Sequence, residues 1–523
     1  MVKLLKSYHK LLLVMLLALG VRLVVLPLIH HPGIGDPNHY YNLGNLLAEG
    51  RGFNIDYIWQ FNDPPEQINH PDDYWMPLTN VFVAGSVTLF GSGVRSAILP
   101  FIVMSLFIPV IAYLAARQLN TTEDTALFAA ATTAVLPEFV LNSLRTDTTI
   151  PNVLLVCGSI LLLTVGVRRG RFLPYVLSGV LAGLAFLVRS DSSLLVPMLI
   201  VTMIAYHRWG RDLVTDVRSW RFAVATVVVM AAVVAPWIAR NYSINGTPTT
   251  PKVSQMFFLT DFREHYVYDD DITLATLLEK QTIPQLIGKR LFEMAASAKL
   301  MYTTLDIFLP IPVLGGLLLL IYRRDRDRLL ILAPALILLL GVYLFYTILV
   351  PFKSQGGSFK KAYLTLIPLI VPLASYALEH AIQDRRLRIG AMLLVVAFMT
   401  ANAVELVRQD SRNVTAYMDF IHQMVDEAQQ LPDTNGDGEI VLMTQDPFMF
   451  RFYGMRTVMI PMDDREAVLE VAQRYGADYI MMPPDRPALD PIAQGTEIDP
   501  RFEHVRDVPG TGASFFGFNF DGS

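Results

Sequence analysis

Cysteine is almost absent from this chain, with one in 523 residues, and only 17% of its residues are charged. Ordinary soluble domains carry about 25% charged residues. The lone Cys157 sits inside the apolar run 153–167, which excludes an internal disulfide and a multi-cysteine metal site and leaves it as a small packed hydrophobe. Net charge is also small, at -5, and Lys and Arg fall in short runs between apolar stretches. Without a continuous basic face, nucleic acid is not an expected partner. A Gly-rich phosphate loop, HExxH and GxSxG are all missing, which removes soluble-type nucleotide binding, zinc proteolysis and serine hydrolysis from consideration.

What the chain has in excess is apolar sequence: 53% of residues are hydrophobic, and the mean hydropathy is +0.41. This is the composition of a membrane protein. Apolar candidates lie at 8–29, 77–90, 95–118, 123–140, 149–167, 172–188, 192–207, 221–239, 301–322, 329–350, 361–380 and 388–406, mostly of spanning length. The first has the basic flank of a signal peptide (Lys3, Lys6, Lys10) but no small-residue cleavage pattern, so it reads as a retained helix.

Short loops rich in Lys and Arg stay cytoplasmic. That assigns the N-terminus, 168–171, 207–221, 323–328 and 385–388 to the cytoplasmic side. Alternation then puts 30–76, 143–149, 189–191, 240–300, 351–361 and everything after 407 outside. Parity makes either 77–90 or 123–140 a partial crossing, which gives about 11 spans, with 12 or 13 as the upper count. The expected organisation is a mainly α, polytopic membrane domain over 1–406, with a first outside loop at 30–76 and a long one at 240–300. An extracytoplasmic α/β domain over 407–523 follows, with strands at 440–444, 457–460 and 479–482 and a helix at 465–475. The expected location is the plasma membrane.

Several polar residues in the outside segments are able to carry chemistry. In the first outside loop, Leu43, Leu46 and Leu47 form one apolar face, so a short helix along the membrane surface is expected, with Asp36 at its N-terminal end. Asp36 reads as a helix cap, as a general base taking a proton from an attacking hydroxyl, or, with His39, as part of a metal site. Charges in or beside spans are costly unless they face a cavity or a partner, which singles out Arg145, Asp147, Arg189, Asp191 and Arg240. Arg189 and Asp191 read equally as a local ion pair. Lys353, Lys360 and Lys361 flank the Gly356-Gly357 turn and read either as snorkelling residues or as an electrostatic clamp on a phosphate. The acidic stretch 433–439 matches the first half of a calcium loop, but Thr444 stands at its twelfth position and a strand follows, so a plain acidic turn is expected.

These residues resemble a family. Asp36, Tyr40 and Leu47-Ala48-Glu49-Gly50-Arg51-Gly52-Phe53 after a first helix are similar to the GT-C superfamily of membrane glycosyltransferases, in its protein O-mannosyltransferase and aminoarabinose-transferase branch. Tyr74-Trp75-Met76-Pro77-Leu78, Gly183-Leu184-Ala185-Phe186-Leu187-Val188-Arg189 and Pro236-Trp237-Ile238-Ala239-Arg240-Asn241-Tyr242 with Gly246 fit as well. The resemblance implies an inverting transfer of a sugar from a polyprenyl-phosphate donor to a hydroxyl or similar nucleophile on a protein, lipid or glycan acceptor, at the outer face. It implies Asp36 as base, Asp147 as an assisting or metal-binding carboxylate, and Tyr40, Arg189, Arg240 and the lysines at 353, 360 and 361 around the substrate. No soluble cofactor is required by such chemistry, and a divalent ion is the open alternative. Met76 stands where the aminoarabinose transferases have a Lys, Pro37 replaces a second acidic residue after Asp36, and the Trp-Trp-Asp-Tyr-Gly signature of oligosaccharyltransferases is absent. A transporter or lipid flippase is the rival class, although no inverted repeat is evident.

Overall fold

The computed structural model describes residues 2–61, 63–210, 218–268, 271–350, 357–436, 438–482 and 486–520. Lys353, and Asp437 of the acidic turn, lie outside the described residues. Among those described, seven helices are long and apolar enough to cross a bilayer: His9–Leu28, Val94–Gln118, Thr149–Arg169, Ser190–Trp209, Ser219–Asn245, Arg326–Leu349 and Arg385–Ala428. The pair Ser358–Leu364 and Ile367–Ala381, bent by 56°, serves as an eighth if it is one broken span, and Pro368 stands at the break, where it lacks an amide donor. Leu78–Phe90, Phe172–Val188 and Pro310–Tyr322 are shorter apolar helices.

Two further sequence candidates are divided in the structure. The stretch 123–140 is divided at Leu136, whose extended ψ of 124 separates Glu123–Val135 from Pro137–Asn142. The stretch 301–322 is divided too, because its first residues end the helix Ile283–Thr304 and the next helix starts only at Pro310.

Close packing of the bundle relies on small residues. A Cβ on Gly179 would lie 2.5 Å from the Thr226 carbonyl oxygen and one on Gly183 would lie 2.6 Å from Val233 Cβ, so Phe172–Val188 meets Arg218–Asn245 only because both are glycine. The break at Leu136 leaves carbonyls at the end of Glu123–Val135 without intrahelical donors. The fully buried Arg22 of the first helix donates to one of them, the Ala134 carbonyl at 3.0 Å, and reaches across the break to the Phe139 carbonyl of Pro137–Asn142 at 3.4 Å. This charged residue is structural, and nothing in the local sequence shows its distant partners.

Outside the bundle, one sheet joins the first loop to the C-terminal part. Its strands are β1 Asn54–Ile58, β2 Asn69–Pro71, β3 Val441–Thr444, β4 Arg456–Met459, β5 Tyr479–Met481, β6 Phe502–Asp507 and β7 Ser514–Phe518. The order is β2-β1-β4-β3-β5-β7-β6. β1 runs parallel to β4, with Tyr57 opposite Thr457, so a strand of the first loop completes the C-terminal sheet. The expected strands β3, β4 and β5 and the helix Arg465–Tyr475 are present, whereas β1, β2, β6 and β7 are additions.

The helix Asp36–Ala48 forms as expected, and much of it is buried. Asn38 and His39 are fully buried, and Asn42 donates to the Phe448 carbonyl at 3.0 Å, so the C-terminal part lies over it. The helix Arg385–Ala428 continues without interruption through 406 and 407 and is about 66 Å long. It leads directly from the bundle into the sheet.

Candidate active site

Three charged residues from three distant segments meet where the first loop covers the bundle. Gly35, with φ 71, turns the chain into the helix Asp36–Ala48, a left-handed conformation open to glycine. Pro37 then sits in the first turn, where no amide donor is needed. Asp36 is thereby held at the helix start, and Thr146 Oγ1 donates to the Pro37 carbonyl at 2.5 Å, tying this turn to the segment before Thr149–Arg169. Asp147, in that segment, accepts from the Thr149 amide at 2.8 Å and from Thr149 Oγ1 at 2.6 Å. Between the two carboxylates stands Lys361 of Ser358–Leu364, whose Nζ donates to Asp36 Oδ2 at 2.8 Å and Asp147 Oδ2 at 2.6 Å.

The three differ in exposure. The Asp147 side chain is 3% exposed, Lys361 17% and Asp36 39%. Burial pushes the Asp147 carboxyl up, but the Lys361 ammonium and the Thr149 donors outweigh it and hold the group at about 2. Asp147 is therefore a fixed anion that orients Lys361, whereas Asp36 is the carboxylate with an open face. Tyr40, one turn after Asp36, is buried, and burial together with the negative field of Asp36 and Asp147 raises its phenol well above the usual value.

A second cation adjoins this group. Arg189 pairs with Asp191 at 2.6 Å in a site where both side chains are largely buried (12% and 9% exposed). It also donates to Thr148 Oγ1 at 3.4 Å, Tyr346 OH at 3.4 Å and the Ser358 carbonyl at 3.3 Å. Tyr346 OH donates in turn to Asp191 at 2.7 Å. The pair is a local one, as the two-residue spacing allows, and it is anchored, not solvated. Thr148 adjoins Asp147 and Ser358 precedes Lys361 on its helix, so Arg189 and Lys361 occupy one site. Tyr346 carries no signal in the sequence that separates it from other tyrosines of apolar helices.

The other candidates are placed elsewhere. Arg240 donates to the carbonyls of Asp72 at 3.0 Å and Phe53 at 3.2 Å, with its guanidinium 4.4 Å above the Trp237 ring. It closes the first loop on itself. His39 is turned away from Asp36: its Nδ1 lies 2.7 Å from Tyr57 OH, its Nε2 3.3 Å from Asp72, and its ring stacks on Trp75. Lys360 pairs with Glu138 at 2.6 Å, and Arg145 pairs with Asp410.

Next to the Arg240 cluster, burial and the neighbouring Asp72 raise Asp73 to about 6. It lines a cavity of about 30 Å³ with Gln60, His70 and Thr250, room for one or two waters and not for a sugar. Among the described residues no group of three or more His, Cys, Asp or Glu is arranged to hold a metal ion. The Lys361 ammonium stands between Asp36 and Asp147, and the His39 ring faces Tyr57 and Asp72 instead of Asp36. In the acidic turn, Asp433 accepts from the amides of Asn435, Gly436 and Gly438, while Asp478 accepts from Thr434 and Val441. These carboxylates stitch a turn together.

Residues 69–239 match the family model described as dolichyl-phosphate-mannose-protein mannosyltransferase. No curated protein sequence matches the chain. Among solved structures, ArnT from Cupriavidus metallidurans bound to undecaprenyl phosphate is similar at 16% identity and TM-score 0.58, over 98% of this chain and 98% of that one. The Archaeoglobus fulgidus oligosaccharyltransferase in complex with Zn and sulfate is similar at 13% identity and TM-score 0.58, over 90% of this chain and 67% of that one. The oligosaccharyltransferase AglB from Archaeoglobus fulgidus, in complex with an inhibitory peptide and a dolichol-phosphate, gives 12% identity and TM-score 0.52 over 91% of this chain and 69% of that one. The chain thus shares its fold along 90–98% of its length with these solved structures, and residues 69–239 match the mannosyltransferase model.

Proposed function

We propose that the chain is an inverting glycosyltransferase that moves a sugar from a polyprenyl-phosphate donor to an acceptor hydroxyl or similar nucleophile. The observation that carries this reading is the Asp36–Lys361–Asp147 bridge beside the anchored Arg189. One carboxylate with an open face and two held cations are what a single displacement at an anomeric carbon requires. Asp36 accepts the proton as the acceptor oxygen forms its bond to the anomeric carbon. The bond from that carbon to the phosphate oxygen breaks on the opposite face, and the phosphate departs with the electron pair. Lys361 and Arg189 receive the charge that accumulates on it, one as a point ammonium and the other as a planar fork.

Asp147 and Asp191 are positioning residues in this scheme. They fix the two cations before substrate arrives, so little reorganisation accompanies the reaction. Lys361 supplies the positive charge for which position 76 offers only Met76. Tyr40, with its proton retained, lies in the field of Asp36 and Asp147. No step is routed through a metal ion. The Lys- and Arg-rich loops support a cytoplasmic N-terminus with the site and the C-terminal domain on the outer face, and the plasma membrane is the proposed location.

The experiment is transfer of a labelled sugar from synthetic polyprenyl-phosphate pentoses and hexoses to envelope acceptors by the full chain in proteoliposomes. Product with inverted anomeric configuration is expected. Movement of the intact lipid or sugar across the bilayer with no product would replace this reading with that of a transporter.

A further inference from the structure

The helix Ile283–Thr304, in the stretch 240–300, is built inside out. Its buried side carries Glu293, Ser297 and Thr304, and Lys289 and Arg290 are half-buried. Its exposed side carries Ile283, Ile287, Leu291, Ala295, Ala298 and Tyr302, spaced by three and four residues, with Ile287 54% and Leu291 61% exposed, and the one charge among the exposed residues of this helix is Lys299, near its end. A helix bathed in water places its polar stripe outward and its apolar stripe against the protein. The reverse arrangement is that of a helix whose surroundings are hydrocarbon and whose polar groups turn toward the protein.

The apolar stripe does not stand alone. Tyr343 of the span Arg326–Leu349 donates its hydroxyl to the Met294 carbonyl at 2.8 Å, and the helix packs against the Phe345–Leu349 end of that span, where Ile348 and Leu349 are exposed. On the other side the chain continues into Ile307, Ile311, Leu314 and Leu318, all exposed. The stripe therefore extends the apolar surface of the spanning helices. We infer that Ile283–Thr304 is embedded in the bilayer, with Ile283, Ile287, Leu291 and Ala295 against lipid acyl chains. This revises the assignment of 240–300 as wholly outside. The helix also packs on Ser358–Leu364, which carries Lys361, so the bilayer comes within one helix of the charged site.

The test uses the full chain in phosphatidylcholine–phosphatidylglycerol liposomes with a spin label on Ile287→Cys, Leu291→Cys or Ala295→Cys, each singly. The native Cys157 is fully buried and stays in place. Collisions with oxygen, which concentrates in acyl chains, are expected to exceed those with a water-soluble nickel chelate severalfold at all three positions, with the ratio reversed at the exposed Glu503→Cys of the C-terminal sheet. Chelate collisions prevailing at 287, 291 and 295 would overturn the inference. Strong dipolar coupling between labels on different molecules would overturn it too, since a second copy would then be the occupant. Ala295→Cys removes little side chain and gives the same reading if the larger residues are needed for folding.

Discussion

Two polar constellations are built from the same first loop, and they have opposite characters. Around Asp72, the groups are closed against one another: His39 faces Tyr57 and Asp72, and Arg240 spends its donors on the carbonyls of Asp72 and Phe53. Around Asp36, residues from distant segments leave one carboxylate 39% exposed while Asp147 and Asp191 hold two cations in place. The first has the organisation of a structural lock and the second that of a site awaiting a ligand. Residue type does not distinguish them, since both contain aspartate, a cation and tyrosine. What differs is exposure: the Asp72 side chain is 3% exposed, whereas Asp36 keeps an open face.

The comparison is broken or sharpened by substitutions on each side. The largest effect is expected for Lys361→Met, which removes the ammonium and leaves Asp36 and Asp147 facing each other unscreened. Transfer is expected to fall by about 10²–10³-fold, the range for loss of one preorganised charge-stabilising donor, with kcat falling while the protein still elutes as a single species. Next is Arg189→Lys, which keeps the charge but loses the fork held by Asp191 and Tyr346. A loss of about tenfold, corresponding to about 1.4 kcal/mol, is expected in kcat/KM.

On the structural side, Arg240→Ala is expected to lower thermal stability by about 1–3 kcal/mol, because two carbonyls lose a charged donor. The transfer rate per folded molecule should stay within a few-fold, as measured by thermal shift and turnover on the same preparation.

The smallest effect is a pH dependence. Asp73 is raised to about 6, so the folded state binds its proton more tightly than the unfolded chain does. Its stabilising contribution is present below the unfolded value and is lost as pH rises through about 6. Asp73→Asn is therefore expected to raise the melting temperature relative to the parent more at pH 7.5 than at pH 5. A difference that is flat with pH would show that this carboxyl is not strained.

The bundle was legible because spanning helices are written in long apolar runs, and the short breaks are what local reading misses. Leu136 and the start at Pro310 are boundaries set by prolines within apolar sequence. Asp36, Asp147, Arg189 and Lys361 stand out individually as polar residues next to apolar helices. Their meeting does not, because it depends on helix rotation. Lys360 and Lys361 are neighbours in sequence but point about 100° apart, so one reaches Glu138 and the other the two aspartates. β1 was hidden for a different reason. Four of its five residues are buried, its parallel partner lies at the far end of the chain, and Tyr57 has no local signal that names Thr457. β6 carries mostly exposed residues and lacks the apolar run that marks β3.

The central claim is that Asp36 is the base of a sugar transfer from a polyprenyl-phosphate donor, and Asp36→Asn tests it most directly, since it keeps the size of the side chain and removes its capacity to take a proton. Single-turnover transfer of labelled sugar in proteoliposomes is expected to fall by about 10²–10⁴-fold, with donor binding and the melting temperature close to those of the parent. Transfer at the parental rate by Asp36→Asn would contradict the account.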